Sequence, residues 1–415
     1  MEGTNGTAKK TSYPKSKIKV LLLENIHADA AKTFSAEGYP VKTADRALDE
    51  ADLVKELADV RILGIRSKTK ITGHILAAAP RLLAIGAFCI GTNQIDFAEC
   101  DKRGVAVFNA PYANSRSVVE LALGEILMLL RKVFDKSVQL HAGTWNKSAS
   151  GSFEARGKRL GIVGYGNIGS QLSVLAEALG MEVYFYDIEE KLALGNAKRC
   201  KTLAELLRKS DVVSLHVDGR AENKNLIGEK ELARMRPGSY LVNISRGHVV
   251  NLDALARHLT AGHLAGAAVD VFPEEPKGNA DPFTSPLQGL PNVILTPHIG
   301  GSTEEAQKNI AGYVAGRVID YVNTGDTSMS VNFPNVRLPL LKKAHRIIHI
   351  HENIPGMLAR VNEIFAAHKI NIVGQYLKTT ETIGYTITDI ESTHGNEVIA
   401  ALKAVPHTIK ARILY

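Results

Sequence analysis

Arg159-Leu160-Gly161-Ile162-Val163-Gly164-Tyr165-Gly166-Asn167-Ile168-Gly169 is the stretch on which the fold turns. Arg159–Val163 is mostly apolar, ends in β-branched residues and reads as a short strand. It runs without a gap into G-x-G-x-x-G, and a predicted helix follows. A lone GxGxxG is a weak signal. Here the flanks are right, and Asp187 closes the next predicted strand, Glu182–Tyr186. That combination is the full context of a dinucleotide site. Gly164 permits the tight turn, Gly166 lets backbone approach a pyrophosphate, and Gly169 lets helix and strand pack closely. The helix N-terminus then offers its partial positive charge to the phosphates. Asp187 is placed to accept hydrogen bonds from ribose hydroxyls. A carboxylate there repels a 2′-phosphate, and Ile188-Glu189-Glu190 supplies no adjacent arginine, so the expected cofactor is NAD rather than NADP.

Working outward, strand-like and helix-like segments alternate on both sides. Downstream strands are expected at Val212–His216, Tyr240–Asn243, Ala265–Asp270 and Val293–Leu295. Upstream they are expected at Lys17–Glu24, Val60–Ile65, Leu82–Gly86 and Val105–Phe108, with helices at Ala28–Glu37 and Gly73–Ala79 between. This is the pattern of βα units and parallel sheets. Ser117-Val118-Val119-Glu120 and Thr202-Leu203-Ala204-Glu205 read as capping boxes, and Ser302-Thr303-Glu304-Glu305 as the cap of a helix running toward Tyr321. Asn323–Leu341, with several prolines and glycines and no helical period, reads as a linker. Beyond it the order is strand Ala344–His351, helix Gly356–Ala367, strands Ile370–Lys378 and Thr382–Ile390, helix Glu397–Ala404, strand Ile409–Leu414. That βαββαβ succession is a ferredoxin-like module.

The bulk properties narrow the function classes. The 415 residues are 45% hydrophobic and 22% charged, an ordinary globular composition with room for two to four domains. No apolar run approaches the roughly 20 residues of a membrane span. The polar, lysine-bearing start, Met1–Lys17, lacks the apolar centre of a secretory signal and reads as a disordered tail. Cys89, Cys100 and Cys200 are widely spaced, form no CxxC or zinc pattern, and fit a reducing cytoplasm. The net charge of +7 comes with no nucleic-acid motif; basic residues gathered near a pocket for an acidic metabolite explain it equally well.

Three segments at predicted strand ends carry the chemistry: Asn243-Ile244-Ser245-Arg246-Gly247, Asp270-Val271-Phe272-Pro273-Glu274-Glu275, and Thr296-Pro297-His298-Ile299-Gly300. An open α/β sheet binds its ligands at such ends. Oxidising an alcohol by hydride transfer needs a base, a group that orients the base, and a cation that fixes the substrate. His298 has the right intrinsic pKa for the base, Glu275 can set its tautomer, and Arg246 can hold a carboxylate through two parallel bonds. Each residue alone has a bland reading as a solvated loop side chain; the set of three at strand ends of one domain reverses it. His141, His258 and His263 lack such a setting. No metal-ligand cluster is visible, so no catalytic metal is expected.

Together Gly164–Gly169, Asp187, Ser245-Arg246-Gly247, Asp270 with Glu275, and Pro297-His298 resemble the D-isomer-specific 2-hydroxyacid dehydrogenases. The resemblance implies a Rossmann cofactor domain (114–300) inserted in a flavodoxin-like substrate domain (17–113 and 301–340), with a ferredoxin-like ACT domain (341–415) after them. Leu63–Thr69, Ala87–Gln94, Phe108–Pro111, Trp145–Lys147, Gly151–Gly157 and the module with His349–Asn353 are similar to the bacterial-type phosphoglycerate dehydrogenase branch. The likeness implies cofactor contacts at Gly164, Tyr165, Gly166, Asn167, Ile168, Gly169, Asp187, His216, Val217, Ser245, Asp270, His298 and Gly300. It implies substrate contacts at Arg66, Ser67, Lys68, Asn114, Lys147 and Arg246, with Lys147 reaching a neighbouring subunit. Lys68 stands where an arginine is expected, and Val217-Asp218 where proline usually follows the strand; the latter departure is expected on the cofactor's adenosine side.

The implied substrate is 3-phosphoglycerate, in the first step of serine synthesis. The implied assembly is a homotetramer joined through cofactor and ACT domains, with no nucleic-acid or membrane partner. Serine is the implied effector. The local chemistry of His351, Asn353 and Asn371 near the helix start at Pro355-Gly356 could bind it, with Asn323–Leu341 as the hinge. Two alternatives share the fold: a dehydrogenase for another D-2-hydroxy acid, with 2-oxoglutarate reduction as a side activity, and an NAD-binding corepressor. Arg66 and Lys68 favour a substrate with a second anionic group.

Overall fold

The computed structural model describes residues 14–276, 281–339, 344–391 and 396–414. Two compact units emerge, one built from Met1–Ala113 with Gln307–Tyr415, the other from Asn114–Ala306. In the first unit, β1 (Lys19–Leu22), β2 (Val41–Thr43), β3 (Val60–Ile65), β4 (Ala84–Ala87) and β5 (Ala106–Phe108) form a parallel sheet in the order β2-β1-β3-β4-β5. That is the flavodoxin-like order. The central strands are buried on both faces and therefore read as near-continuous apolar runs. Asp49, Thr72 and Asp96 each accept a backbone N–H at the start of the following helix.

The second unit holds β6 (Arg159–Val163), β7 (Glu182–Tyr186), β8 (Lys198–Arg199), β9 (Val212–Leu215), β10 (Ser239–Asn243), β11 (Leu264–Val269) and β12 (Val293–Leu295). They are all parallel, in the order β12-β11-β10-β9-β6-β7-β8. The order reverses between β6 and β9, which opens a crevice at their C-terminal ends. Thr202 caps its helix as expected, accepting from Glu205 N at 3.1 Å. Thr303 caps the helix Glu304–Thr324, accepting from Ala306 N at 3.1 Å. Ser117 is no cap. Its helix, Ser115–Arg131, begins two residues earlier. The Ser117 hydroxyl bonds Thr303 Oγ1 at 2.8 Å, while Glu120 turns back one helical turn to Arg116. The pattern matched a box, but the backbone there was already helical.

The first unit carries a second sheet. β13 (His345–Glu352), β14 (Ile372–Thr379), β15 (Ile383–Ile390) and β16 (Thr408–Leu414) are antiparallel in the order β14-β15-β13-β16, with helices Met357–Ala367 and Asn396–Ala404 on one face. Side chains alternate along β13. Ile347 packs with Val361, Phe365 and Leu402 beneath the helices. Ile348 and Ile350 face the other way, into a core shared with Phe108, Val314, Val318 and Tyr321 of the flavodoxin-like lobe.

Asn323–Leu341 is not a free linker. Asn323 and Thr324 finish the long helix. Thr327 Oγ1 donates to Pro334 O at 2.7 Å, Ser330 Oγ to Val107 O at 3.1 Å, and Asn332 bonds Asp101, Val105 O and Val107 N. Phe333 and Val336 are buried. Prolines here remove helical periodicity without removing packing. Residues 340–341 of the expected linker, like 1–13 of the expected tail, lie outside the described residues. The tail's end is ordered: Lys15–Lys17 make a 3-10 turn, and Lys15 pairs with Glu37 at 2.6 Å.

Candidate active site

The cofactor loop is shaped by close approach. Gly164 has φ +90°, and a Cβ on it would lie 2.5 Å from His216 O, at the end of β9. A Cβ on Gly169 would lie 2.2 Å from Gly164 O, so the helix Asn167–Ala178 can seat against β6 only with glycine there. Open space surrounds Gly166. Asp187 spends part of its acceptor capacity on backbone, taking Tyr165 N at 2.7 Å and Glu189 N at 2.9 Å. The remaining lone pairs suit ribose hydroxyls. Tyr165 contributes only backbone to this loop. Its ring stacks on Phe185 at 3.9 Å and its hydroxyl bonds Ser173 at 2.7 Å, inside the core. Ile168 likewise packs toward the core, and Val217 packs on the other face of the sheet. His216 bonds Ser214 Oγ at 2.8 Å and leaves Nδ1 buried without a partner. Burial lowers its pKa to about 4, so it is a neutral ring at physiological pH. An open glycine cradle, a carboxylate on the next strand and an unpartnered buried nitrogen fit a dinucleotide.

Strands β10, β11 and β12 deliver the three candidate catalytic residues. Asn243 Oδ1 accepts from both Ser245 N and Ser245 Oγ, and its amide donates to Arg246 O, which fixes the turn that presents Arg246. Gly247 lies so close to the Phe272 carbonyl that a Cβ would fall 1.9 Å from it; the two loops are pressed together. After β12, His298 takes φ 53°, and its Nδ1 is 2.8 Å from Glu275 Oε2. Glu275 Oε1 also accepts from Phe272 N at 3.2 Å. The hydrogen bond to Glu275 raises the His298 pKa above its ordinary value against the opposing effect of burial. Burial pushes Glu275 upward, but His298, the Phe272 N–H and the Arg246 charge outweigh it and hold the carboxylate low. The arrangement is a half-exposed imidazole with its Nδ1 committed to a carboxylate and an arginine whose charge reaches both.

Asp270 organises the loop. It is fully buried, and it accepts from Thr296 Oγ1, Ile299 N and Gly300 N at 2.6, 2.8 and 2.8 Å. Asn114 lies against the Gly301 backbone in the same region. Beneath Thr296 sits Glu125, also fully buried; burial, with the Asp270 charge next, pushes its pKa up to about 8. Sequence reading missed it, because its signal is one acid inside the apolar helix Ser115–Arg131. At the Val217-Asp218 departure, Asp218 pairs with Arg220, and the next residue, Gly219, sits against the Arg246 side chain.

In the first unit, Arg66, Ser67 and Lys68 occupy a loop after β3 that Glu24 holds in shape. Its carboxylate accepts from Arg66 N, Lys68 N and Thr69 N at 3.1, 2.9 and 2.8 Å. Glu24 is a second residue the sequence reading passed over; an acid at the end of β1 was the available sign. Lys147 is exposed beyond the helix Val133–His141.

The chain is similar to known proteins. Residues 123–300 match the family described as D-isomer specific 2-hydroxyacid dehydrogenase, NAD binding domain, and residues 347–410 match the AHAS small subunit-like ACT domain. The chain is 53% identical over 409 residues to a D-3-phosphoglycerate dehydrogenase of Escherichia coli (strain K12), covering 98% of this chain and 100% of that one. The chain belongs to the D-isomer specific 2-hydroxyacid dehydrogenase family. Another member, the D-3-phosphoglycerate dehydrogenase of Dictyostelium discoideum, is 51% identical over 405 residues, covering 98% of this chain and 99% of its own. Among solved structures of the family, an Aquifex aeolicus D-lactate dehydrogenase complexed with NAD and lactic acid superposes with a TM-score of 0.65 at 28% identity, covering 76% of this chain and 100% of that one. As a 2-hydroxyacid dehydrogenase the protein is an oxidoreductase with NAD as its cofactor. Among the described residues, no helix is long and apolar enough to cross a membrane.

Proposed function

We propose that this enzyme oxidises the C2 hydroxyl of D-3-phosphoglycerate to the ketone of 3-phosphohydroxypyruvate. The observation that carries the reading is the 2.8 Å His298–Glu275 pair beside Arg246, in a chain that matches enzymes named for this substrate over their full length. Bound NAD supplies the hydride acceptor. Gly164–Gly169 and Asp187 hold it, with Ser245, His216 and Gly300 on the adjoining strand ends. Arg246 binds the substrate carboxylate with two parallel hydrogen bonds and fixes the C2 centre. Glu275 accepts a hydrogen bond from the Nδ1–H of His298, which leaves Nε2 bare to accept the hydroxyl proton. Asp270 keeps the His298 loop in place through its three bonds.

Arg66, Ser67 and Lys68, on the loop braced by Glu24, are assigned to the phosphate, with Asn114 and Lys147 as further substrate contacts. The same cations would accept the distal carboxylate of 2-oxoglutarate, a side activity. A homotetramer is supported by the helix Val133–His141, which buries no residue in the single chain. It exposes Val133, Phe134, Val138 and Leu140, with Trp145 just beyond. Serine as effector rests on the ACT match. In this structure Asn353 donates its amide to Thr380 O at 2.7 Å, His351 bonds the Glu352 carbonyl, and Asn371 is exposed. Serine would have to share or replace the Asn353 bond. A cytoplasmic setting is supported by three free cysteines.

The test is NADH formation with D-3-phosphoglycerate against a panel of other D-2-hydroxy acids, with and without serine. A higher kcat/KM for a substrate lacking the phosphate overturns the substrate assignment. An unchanged rate in millimolar serine overturns the effector assignment.

A further inference from the structure

The flavodoxin-like lobe and the ACT module, both in the first unit, enclose a cavity of about 580 Å³ whose lining is unusually cationic. Lys15, Arg61 and Arg81 come from the lobe, and Lys403, Lys410 and Arg412 from the ACT module. No carboxylate is among the described lining residues. Of the acids of the lobe, Glu37 is paired with Lys15 and Asp59 with Lys19.

Lys410 is the clearest oddity. It reaches from β16 across the seam, and its ammonium donates to two carbonyls, Leu82 O at 2.8 Å and Gly104 O at 3.0 Å, and it forms no salt bridge among the described residues. Burial, then the charges of Arg412 and Arg61, lower its pKa to about 7. Arg412 donates to Tyr321 O and lies 4.5 Å over that ring, yet its Nε is buried without a partner. Like charges brought together in a partly enclosed space disfavour one another unless an anion joins them. The volume is that of a small-molecule site.

We propose that this cavity binds a small anion carrying two or more linked phosphate groups, held between Arg81 of the lobe and Lys403, Lys410 and Arg412 of the ACT module. The site is distinct from the cofactor crevice and from the face of β13 that bears His351. A ligand there touches both modules, so it stabilises their docked arrangement and acts as a second effector class beside any amino acid.

Inorganic pyrophosphate is the probe. It is titrated calorimetrically into full-length protein saturated with NADH, which fills the other diphosphate site, and the melting temperature is followed in parallel. Binding raises the melting temperature as a ligand specific to the folded state must. The expected result is one pyrophosphate per chain, retained in Arg246→Ala and weakened at least tenfold in Arg81→Gln/Lys403→Gln. Both replaced residues are exposed. If the double variant melts early without ligand, Arg81→Gln alone carries the comparison. No binding to the parent protein, equal binding by the Arg81→Gln variants, loss of binding in Arg246→Ala, or phosphate binding as tightly as pyrophosphate each overturns the proposal.

Discussion

His298 takes a left-handed backbone conformation, φ 53°, uncommon for a side-chain-bearing residue. The surrounding bonds make that conformation the natural one: Asp270 fixes Ile299 N and Gly300 N, and Glu275 takes the ring. The carboxylate raises the His298 pKa. Oxidation needs the neutral ring, so activity falls as pH drops through that raised value. Glu275→Gln removes the charge and moves the acid limb of the kcat/KM profile to lower pH, with a lower plateau because the tautomer is no longer fixed; an unmoved limb in a pH–rate series contradicts this pairing. Arg246→Ala leaves the substrate carboxylate without its partner. Charge-assisted hydrogen bonds contribute about 1.5–3 kcal/mol, so kcat/KM falls by roughly ten- to a hundredfold or more while NAD affinity stays near normal in a fluorescence titration. Glu125 behaves in the opposite sense to a paired acid. Its folded pKa of about 8 lies above the unfolded value, so its contribution to stability is fully present below about pH 4 and is lost as pH rises through 8. Glu125→Gln lifts that loss; its melting temperature should exceed the parent's by several degrees at pH 8 and converge with it near pH 4. The grouping of His298, Glu275 and Arg246 could be read from the sequence because each follows the end of a strand. Glu125 and Glu24 could not, because what defines them is burial and the backbone groups they meet.

At the scale of elements, strand and helix positions follow burial runs, and those runs are visible in the sequence. β6, β7, β12 and β3 have the expected bounds because apolar residues stop where the strands stop. β2 and β8 escape notice: they are three and two residues long, lie at sheet edges and are mostly exposed, so no apolar period marks them. The segment after Asn323 misleads for a complementary reason. Its order comes from side-chain bonds of Thr327, Ser330 and Asn332 to distant backbone, and no local pattern announces these. The cofactor loop shows the tightest coupling between elements. In Gly169→Ala the new methyl would meet Gly164 O and Ile162 Cγ2 at 2.2 and 2.9 Å, so helix and strand must separate and the phosphate-facing N–H groups move. We expect NAD affinity to fall at least tenfold with the circular dichroism spectrum retained; parent-like affinity would mean the helix seats without that contact.

The two sheets of the first unit share one core, and the buried Arg346 ties the ACT sheet to the end of the long helix and the segment after it. Arg346 and Asp389 face each other across β13 and β15. Arg346 Nε and Nη2 meet the two carboxylate oxygens at 2.7 and 2.8 Å, with both side chains almost wholly buried. The other donors reach beyond the ACT sheet: Nη1 to Thr324 O and Leu338 O, Nη2 to Pro339 O. All five guanidinium N–H donors are thus satisfied, three of them by the end of the long helix and the segment that follows it. Taking two charges out of water is costly, and the pair recovers that cost only while its geometry is complete. Removing one partner is therefore much worse than removing both. Arg346→Met strands the Asp389 carboxylate and three carbonyls, and should destabilise by about 3–5 kcal/mol. Arg346→Met/Asp389→Leu, which keeps volume and strands no charge, should recover much of that loss in urea unfolding. The carbonyls of Thr324, Leu338 and Pro339 stay unpaired in both variants, so limited proteolysis should still cut the segment after Thr324 faster than in the parent. A double variant as unstable as the single one would show that the carbonyl ties, and not the ion pair, hold the ACT module to the lobe.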